Sequence, residues 1–170
     1  MNSDDPKLFK KLMKKTLLTT VMICICCLAF SQSNKEEVDL VQSVFGMEKK
    51  AMAAEFIKLE GAQKDAFWVA YDEYEAKRKD LGKKRIDLLG KYAASYTSLD
   101  DAGTDQIIKD VINLQTDTDK LIVSYYNKIK KGSGVKAAAQ FYQFENYILS
   151  KIRSEIMEEI PLIGEFDDKK

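Results

Sequence analysis

Apolar residues recur every three or four positions along four long segments of the chain, which is the spacing of helices that bury one face. The pattern predicts helices at about residues 36–58, 61–96, 104–131 and 135–160. The first segment carries its apolar residues at Val38, Val41, Val44, Phe45, Ala51, Met52, Phe56 and Leu59. No segment alternates apolar and polar residues as a half-buried strand does. The sequence therefore predicts an all-α protein built from four amphipathic helices.

The second segment contains the most regular row of large side chains. Its members step by four and three residues, the spacing of a seam that faces partner helices. They are Phe67, Tyr71, Tyr74, Arg78, Leu81, Arg85, Leu88 and Tyr92. A helix over 61–96 is roughly 50 Å long at ~1.5 Å per residue, so a long antiparallel helical hairpin is expected. Gly82 and Gly90 are places for a bend or for a close approach of two helices. Whether the hairpin is bent, and whether it dimerises, is left open by the pattern.

The third and fourth segments repeat this spacing. The third carries Ile107, Val111, Leu114, Thr118, Leu121 and Tyr125, and the fourth carries Phe141, Phe144, Ile148, Ile152 and Ile156.

Helix boundaries are marked by polar caps and breakers. Ser33 or Asn34 could cap the first helix, and Ser98, Asp100 or Thr104 could cap the third. The sequence "KKGSG" closes the third helix, and the fourth ends before Pro161, followed by a short polar tail.

The N-terminal residues have the pattern of a secretory signal peptide. Five lysines between Lys7 and Lys15 precede an uncharged apolar run from Leu17 to Leu28, and small residues precede a cut after Ser31. The run is too short for a membrane anchor, which needs about 20 apolar residues. No small residue stands before a cysteine as lipidation requires. We therefore expect a signal peptide at 1–31, a single helical domain at 32–170 and a periplasmic location.

Charge and composition narrow the chemistry. The whole chain has 27 basic and 27 acidic residues, and residues 32–170 keep 22 and 25 of them, a net charge of −3. This negative net charge does not provide the basic surface that nucleic-acid binding requires. The chain has no histidine, and its three cysteines lie in the predicted signal peptide. The sequence of the mature region therefore offers no histidine or cysteine as a catalytic base or nucleophile. It also lacks the Glu-x-x-His motif of a four-helix metal site. We expect a non-enzyme without cofactor or metal.

Two arginines interrupt the apolar seam of the second helix. Arg78 and Arg85 lie one heptad apart, and long basic side chains often lay their stems along a seam while the charged heads reach water or a carboxylate. Glu145 shares a face with Phe141 and Ile148 and is the expected carboxylate partner. The alternative is that the arginines line a groove that binds another protein. In that case Tyr71, Tyr74 and Lys84 complete the predicted protein-binding set. Aromatic residues on several helix faces favour a homodimer or a client.

Residues Leu59 to Gln63, "LEGAQ", keep the leucine and glutamine of a Leu-Thr-x-x-Gln motif at the head of the long helix, and Lys136 to Gln140, "KAAAQ", keeps only the glutamine. With the signal peptide, the size and the helix order, this resembles the Spy/CpxP-like periplasmic proteins over most of residues 36–160. The resemblance implies a bent helical hairpin, commonly dimeric, with structural roles for Leu59, Gln63 and Gln140. It also implies an ATP-independent chaperone, an inhibitor of a stress-sensor kinase or a metal-stress sensor, and the last usually uses His, Met or Cys.

The functional expectation is therefore an exported protein that binds proteins. Its partners would be unfolded or envelope proteins, or a membrane stress-signalling protein. Lysine and arginine would attract the client at long range, and apolar contacts would hold it weakly. Two alternatives stay open at this point. One is a structural or assembly dimer without clients, and the other is an extracytoplasmic ligand or metal sensor.

Overall fold

A computed structural model describes residues 35–164, which form four helices. These are α1 (Lys35–Phe56), α2 (Gly61–Ser95), α3 (Asp101–Ser133) and α4 (Val135–Glu159). Residues 35–164 contain no strand, so the predicted all-α class is confirmed. The helix bounds lie within three residues of the predicted ones. The predicted signal peptide, the caps Ser33 and Asn34 and the end of the polar tail lie outside the described residues.

Short connections force neighbouring helices to pack side by side. Residues 57–60 join α1 to α2, residues 96–100 join α2 to α3, and Gly134 alone separates α3 from α4. Gly134 has a φ of +93°, a conformation that a residue with a Cβ rarely adopts. Helix α3 packs against both α2 and α4, and α1 packs against α2 and α4. Such tight links make sequential helices antiparallel, as predicted.

The core is a cluster of aromatic and aliphatic side chains at the end of the bundle that α1 covers. Tyr74 and Phe141 meet edge to face with their ring centroids 5.0 Å apart, and Tyr71 packs on the same Phe141 ring at 6.2 Å. In α3 the most buried positions include Ile122 and Ile129, whereas the predicted seam residue Leu121 is only partly buried. The difference arises because α3 contacts two helices, so its buried stripe is wider than a two-helix seam.

Helix α1 is antiparallel to α2, and the cross-helix contacts show the register. Ser43 accepts a hydrogen bond from Lys79 at 3.0 Å, and further along α1 Lys50 pairs with Asp72 at 2.5 Å. Beyond the Ser43–Lys79 contact, a Cβ added at Gly82 would come within 2.4 Å of Gln42 Oε1. Gly82 therefore permits the close approach that the sequence predicted, while a Cβ at Gly90 would meet nothing within 4 Å.

Asp100 is the cap of α3 among the three residues proposed from the sequence. Its Oδ1 accepts a hydrogen bond from the backbone N–H of Gly103 at 2.7 Å. We expect Asp100→Ala to lower the free energy of unfolding by about 1 kcal/mol, because an N–H group of the first turn loses its acceptor. Urea denaturation measures this change. Ser98→Ala, two residues earlier, is the control and should be close to neutral. Equal effects of the two substitutions would contradict the assignment of the cap.

None of the helices within residues 35–164 combines the length and the hydropathy that crossing a bilayer requires.

Candidate functional site

A lysine lies in the centre of the core. Lys49 is 1% exposed, and its position continues the buried face of α1, which is marked by Val38, Gln42, Phe45 and Ala53. Its Nζ lies 2.5 Å from Glu75 Oε1 and 2.7 Å from Glu145 Oε2. It also lies 4.9 Å from the centroid of the Tyr74 ring. Two carboxylates and an aromatic face therefore replace the water that a buried ammonium group loses.

Other polar side chains extend this arrangement. The Tyr74 hydroxyl donates a hydrogen bond to Glu145 Oε2 at 2.6 Å. Arg78 Nε donates to Glu75 Oε2 at 2.9 Å, and Arg78 also donates to Gln42 Oε1 at 3.2 Å. We call Lys49, Tyr74, Glu75, Arg78 and Glu145 the buried charge cluster. With two acids and two bases, the ionised cluster has no net charge, which limits the cost of burying it.

Burial raises the pKa of two members of the cluster, Glu145 and Tyr74. Desolvation raises the pKa of Glu145, and the charge of Glu75 adds to this effect, while Lys49 lowers that pKa. Desolvation also raises the pKa of Tyr71 and of Tyr74 well above 10.0. Glu145 Oε1 and the Tyr71 hydroxyl are among the buried atoms that have no hydrogen-bond partner within residues 35–164. The phenols therefore stay neutral in the folded protein at ordinary pH.

The ion pairs correct the sequence-based expectation for Glu145. Glu145 pairs with Lys49 and not with the arginines of the seam. Arg78 instead pairs with Glu75 on its own helix and places its guanidinium 5.0 Å from the centroid of the Phe45 ring. The head of Arg78 thus finds a carboxylate, as the seam interpretation expected. Arg85 forms neither an ion pair nor a hydrogen bond within the described part of the chain.

The predicted protein-binding residues do not form one surface. Tyr71 and Tyr74 are 0% and 1% exposed, so neither can contact a client in this conformation, and that part of the prediction is wrong for the folded monomer. Lys84 is exposed, and Arg85 is partly exposed.

Of the aromatic residues of α4, Phe141 and Phe144 are buried, whereas two tyrosines, Tyr142 and Tyr147, reach the surface.

Leu59 and Gln63 lie around the start of α2, the long helix that the motif was expected to begin, and Gln140 lies in the second turn of α4. Leu59 packs against the core from the connection before α2. Gln63 is exposed in the first turn of α2, and Gln140 is partly buried in α4. A structural role is consistent with the position of Leu59.

An inner cavity and a second, larger cavity along the bundle of residues 35–164 bear on binding. The inner cavity, about 110 Å³, lies beside the buried charge cluster and is lined by residues of all four helices, with Thr118 from α3. The second cavity, about 410 Å³, lies between the C-terminal part of α2, the first half of α3 and the end of α4, with no residue of α1 in its lining. We call the second cavity the distal groove. Its lining is Arg85, Leu88, Leu89, Tyr92, Ile107, Ile108, Val111, Leu114, Gln115, Arg153, Ile156, Met157, Ile160, Pro161, Leu162 and Ile163.

The distal groove exists because α1 is the shortest helix and covers only one end of the other three. Its far end is closed by a hydrogen bond from the Tyr92 hydroxyl to the carbonyl oxygen of Pro161 at 2.8 Å. Large aliphatic side chains on its wall are unusually exposed, among them Val111 at 43% and Met157 at 58%. A concave apolar surface of this size is typical of a binding site.

The arrangement offers binding chemistry. Within residues 35–164, no group of three or more His, Cys, Asp or Glu side chains is placed to hold a metal ion. The buried charge cluster is locked in ion pairs, and the distal groove presents apolar surface with two arginines. In the sequence, Lys49 lies four residues after Phe45 and four before Ala53. This helical spacing could have shown that Lys49 is on the buried face of α1. No comparable sequence pattern marks the distal groove, because the groove depends on how the ends of three helices pack together.

Comparison with protein-family models, curated proteins and solved structures finds no match to this chain. The resemblance to the Spy/CpxP-like proteins therefore stays a prediction from the motif residues.

Proposed function

We propose that this chain is an exported, non-enzymatic protein that binds other proteins, as an ATP-independent chaperone or a modulator of envelope stress. The observation that carries the proposal is the distal groove, an open apolar concavity of about 410 Å³ on a folded domain. A soluble helical domain normally covers such a surface, so an uncovered one favours an interaction with apolar segments of another chain. The resemblance to Spy/CpxP-like proteins supports the same class of function.

The groove can hold a client without holding it tightly. Its walls provide aliphatic contacts but few hydrogen-bonding groups to fix one sequence, so different apolar segments can enter it. The exposed basic side chains of α2, including Lys84, add long-range attraction for acidic clients. Weak and unselective binding is what a chaperone without an energy source requires, because the client must leave again to fold.

Two neighbouring side chains of α3 allow a matched test of the groove. Val111 lines it, while Ile112, one position along the chain, does not. Both are exposed aliphatic residues, at 43% and 56%. We expect the protein to suppress the aggregation of a heat-unfolded model client, measured by light scattering. Val111→Glu should weaken the suppression about tenfold, because a charge enters the apolar wall, and Ile112→Glu should leave it unchanged.

The same assay at low and high salt separates charge attraction from apolar contact. Suppression that weakens with salt supports steering by the basic side chains. No suppression at several-fold molar excess of the protein would overturn the chaperone proposal. Equal losses in the two variants would show that any charge on this face of α3 disturbs the protein, and that the groove is not the client site.

A further inference from the structure

Arg85 is a cation without a counter-ion at the inner end of the distal groove. No carboxylate within residues 35–164 forms an ion pair with it, whereas its neighbour in the seam, Arg78, pairs with Glu75 at 2.9 Å. The strongest influences on the pKa of Arg85 are desolvation, then the charges of Arg153 and Arg78, and all three lower it. Arg85 nevertheless stays charged, because a guanidinium group does not lose its proton in proteins. The site therefore holds positive charge that the described chain leaves uncompensated.

Arg153 supplies a second cation on the opposite wall. Its Nη2 atom forms a long ion pair with Asp119 Oδ1 at 3.6 Å, which is beyond hydrogen-bonding distance, so this buried atom has no hydrogen-bond partner among residues 35–164. Arg85 comes from α2 and Arg153 from α4, and both line the distal groove. Two guanidinium groups from different helices can bind one anionic group through paired N–H donors.

The remainder of the groove is mainly apolar. Beyond the two arginines, Gln115 and Tyr92, its lining is aliphatic, with Leu88, Val111 and Met157 from three different helices. The volume of about 410 Å³ falls within the ~300–1,000 Å³ of sites for small molecules. Arg85 and Leu89 also line the inner cavity, so the charged end of the groove is the end closer to the core.

We propose that the distal groove binds a single-chain amphiphile with an anionic head group. The head group lies against Arg85 and Arg153, and the aliphatic chain extends outward between α2, α3 and α4. A neutral amphiphile would leave Arg85 without a counter-ion and the Arg153 Nη2 atom without a hydrogen-bond acceptor, and a cationic one would be repelled. Bound amphiphile would exclude a client from the same groove. That regulatory consequence rests on the proposed function, whereas binding of the amphiphile does not.

Isothermal titration calorimetry with decanoate tests the inference on the protein purified as cells process it, with its N-terminus determined by mass spectrometry. Decyl phosphate, decanol and decyltrimethylammonium share one decyl chain with different heads, the alkyl chain of decanoate being shorter by one carbon, and all are used below their micellar or solubility limits. We expect saturable binding of decanoate or decyl phosphate, at least tenfold tighter than that of decanol, and no saturable binding of the cation. The better of the two anions identifies a carboxylate or a phosphate as the natural head group.

Variants locate the site. Arg85→Gln and Arg153→Gln should each weaken binding of the anionic amphiphile about tenfold, which corresponds to about 1.4 kcal/mol. Lys91→Gln removes an exposed charge from the same helix outside the groove and should leave the affinity unchanged. Binding of the anion by wild type no tighter than that of decanol would overturn the proposal even if a variant failed to fold. Equal weakening by Lys91→Gln would also overturn it, since the effect would then reflect net charge alone.

The outcomes separate this inference from the proposed function. Decanoate binding without suppression of client aggregation would leave the ligand site standing and remove the chaperone proposal. Suppression without any binding of an anionic amphiphile would do the reverse. Suppression that decanoate abolishes in wild type but not in Arg85→Gln would support both.

Discussion

Replacing Lys49 by methionine should lower the free energy of unfolding by about 3–5 kcal/mol, because Glu145 would then be buried without its cation. Methionine keeps the length of the side chain, so the loss reports the charge and not a cavity. Glu145 is 1% exposed, and among residues 35–164 the Tyr74 hydroxyl is its one remaining polar partner. Since folded proteins of this size are stable by about 5–15 kcal/mol, the variant should melt far below wild type. Urea denaturation followed by circular dichroism measures the change.

Lys50→Met is the matched control for this experiment. Lys50 is the next residue, and it also pairs with an acid of α2, Asp72 at 2.5 Å, but its side chain is 43% exposed. Exposed pairs contribute about 0–1 kcal/mol, so the control should be nearly neutral. Adding Glu145→Leu to Lys49→Met should restore much of the stability, because the unpaired carboxylate is gone. A cost below about 1 kcal/mol for Lys49→Met would contradict the pairing.

The pH dependence of this cost follows from the raised pKa of Glu145. Desolvation makes the folded state favour the protonated carboxyl, so the folded protein binds more protons than the unfolded chain above the ordinary value of 4.5. Stability arising from the neutral form is therefore complete below 4.5 and is lost as pH rises through the pKa of the folded state. Without Lys49 this loss should be larger. The cost of Lys49→Met should thus shrink in acid.

Tyr74→Phe should lower the free energy of unfolding by about 1.5–3 kcal/mol, whereas Tyr71→Phe should be neutral or stabilising. The two tyrosines are one helical turn apart and equally buried, at 1% and 0% exposure. They differ in their hydroxyl groups. That of Tyr74 donates to the Glu145 carboxylate at 2.6 Å, and hydrogen bonds to charged groups contribute about 1.5–3 kcal/mol. The hydroxyl of Tyr71 has no partner among the described residues, so its removal relieves a desolvation cost.

Alkaline unfolding gives these two variants a second readout. Both tyrosines have a pKa raised well above 10.0 in the folded protein, and their largest common cause is desolvation. Above pH 10 the unfolded chain releases phenol protons that the folded protein retains, so the stability of wild type falls as pH rises. Each variant should show a shallower fall, measured by melting temperature and tyrosinate absorbance. A slope unchanged in both would contradict the burial of the two phenols.

Local sequence signals predicted most of the fold. Helix boundaries followed from the apolar period, from Asp100 as a cap and from the glycine between α3 and α4. These signals are local, because a cap or a helical face is fixed by residues within a few turns. The pairing of Lys49 was not predicted, because its partners are 26 and 96 positions away in the chain. Several carboxylates in the sequence are equally good candidates for the partner of Lys49 until the packing of the helices is known.

The candidate site was predicted only in part. The seam of α2 drew attention to Arg85, which lines the groove, but it also selected Tyr71 and Tyr74, which fill the core. A row of large side chains gives the same sequence pattern whether a neighbouring helix covers it or not, so the pattern alone does not predict exposure. What decides exposure is that α1, with 22 residues, covers less of the bundle than α2, with 35. That difference opens the groove at one end and leaves the aromatic residues at the other end buried.

The buried charge cluster also determines how the helices align along their lengths. Lys49 comes from α1, Glu75 from α2 and Glu145 from α4, so one ammonium group joins three helices at a single height. Apolar side chains alone tolerate a helix that slides past its neighbours, since one aliphatic contact replaces another. A slide of one turn, about 5.4 Å, would move the ammonium group away from both carboxylates and leave Lys49 and Glu145 unpaired in the core, while Glu75 would keep its ion pair with Arg78. We expect this alignment to hold the end of α1 in place and so to keep the neighbouring groove open.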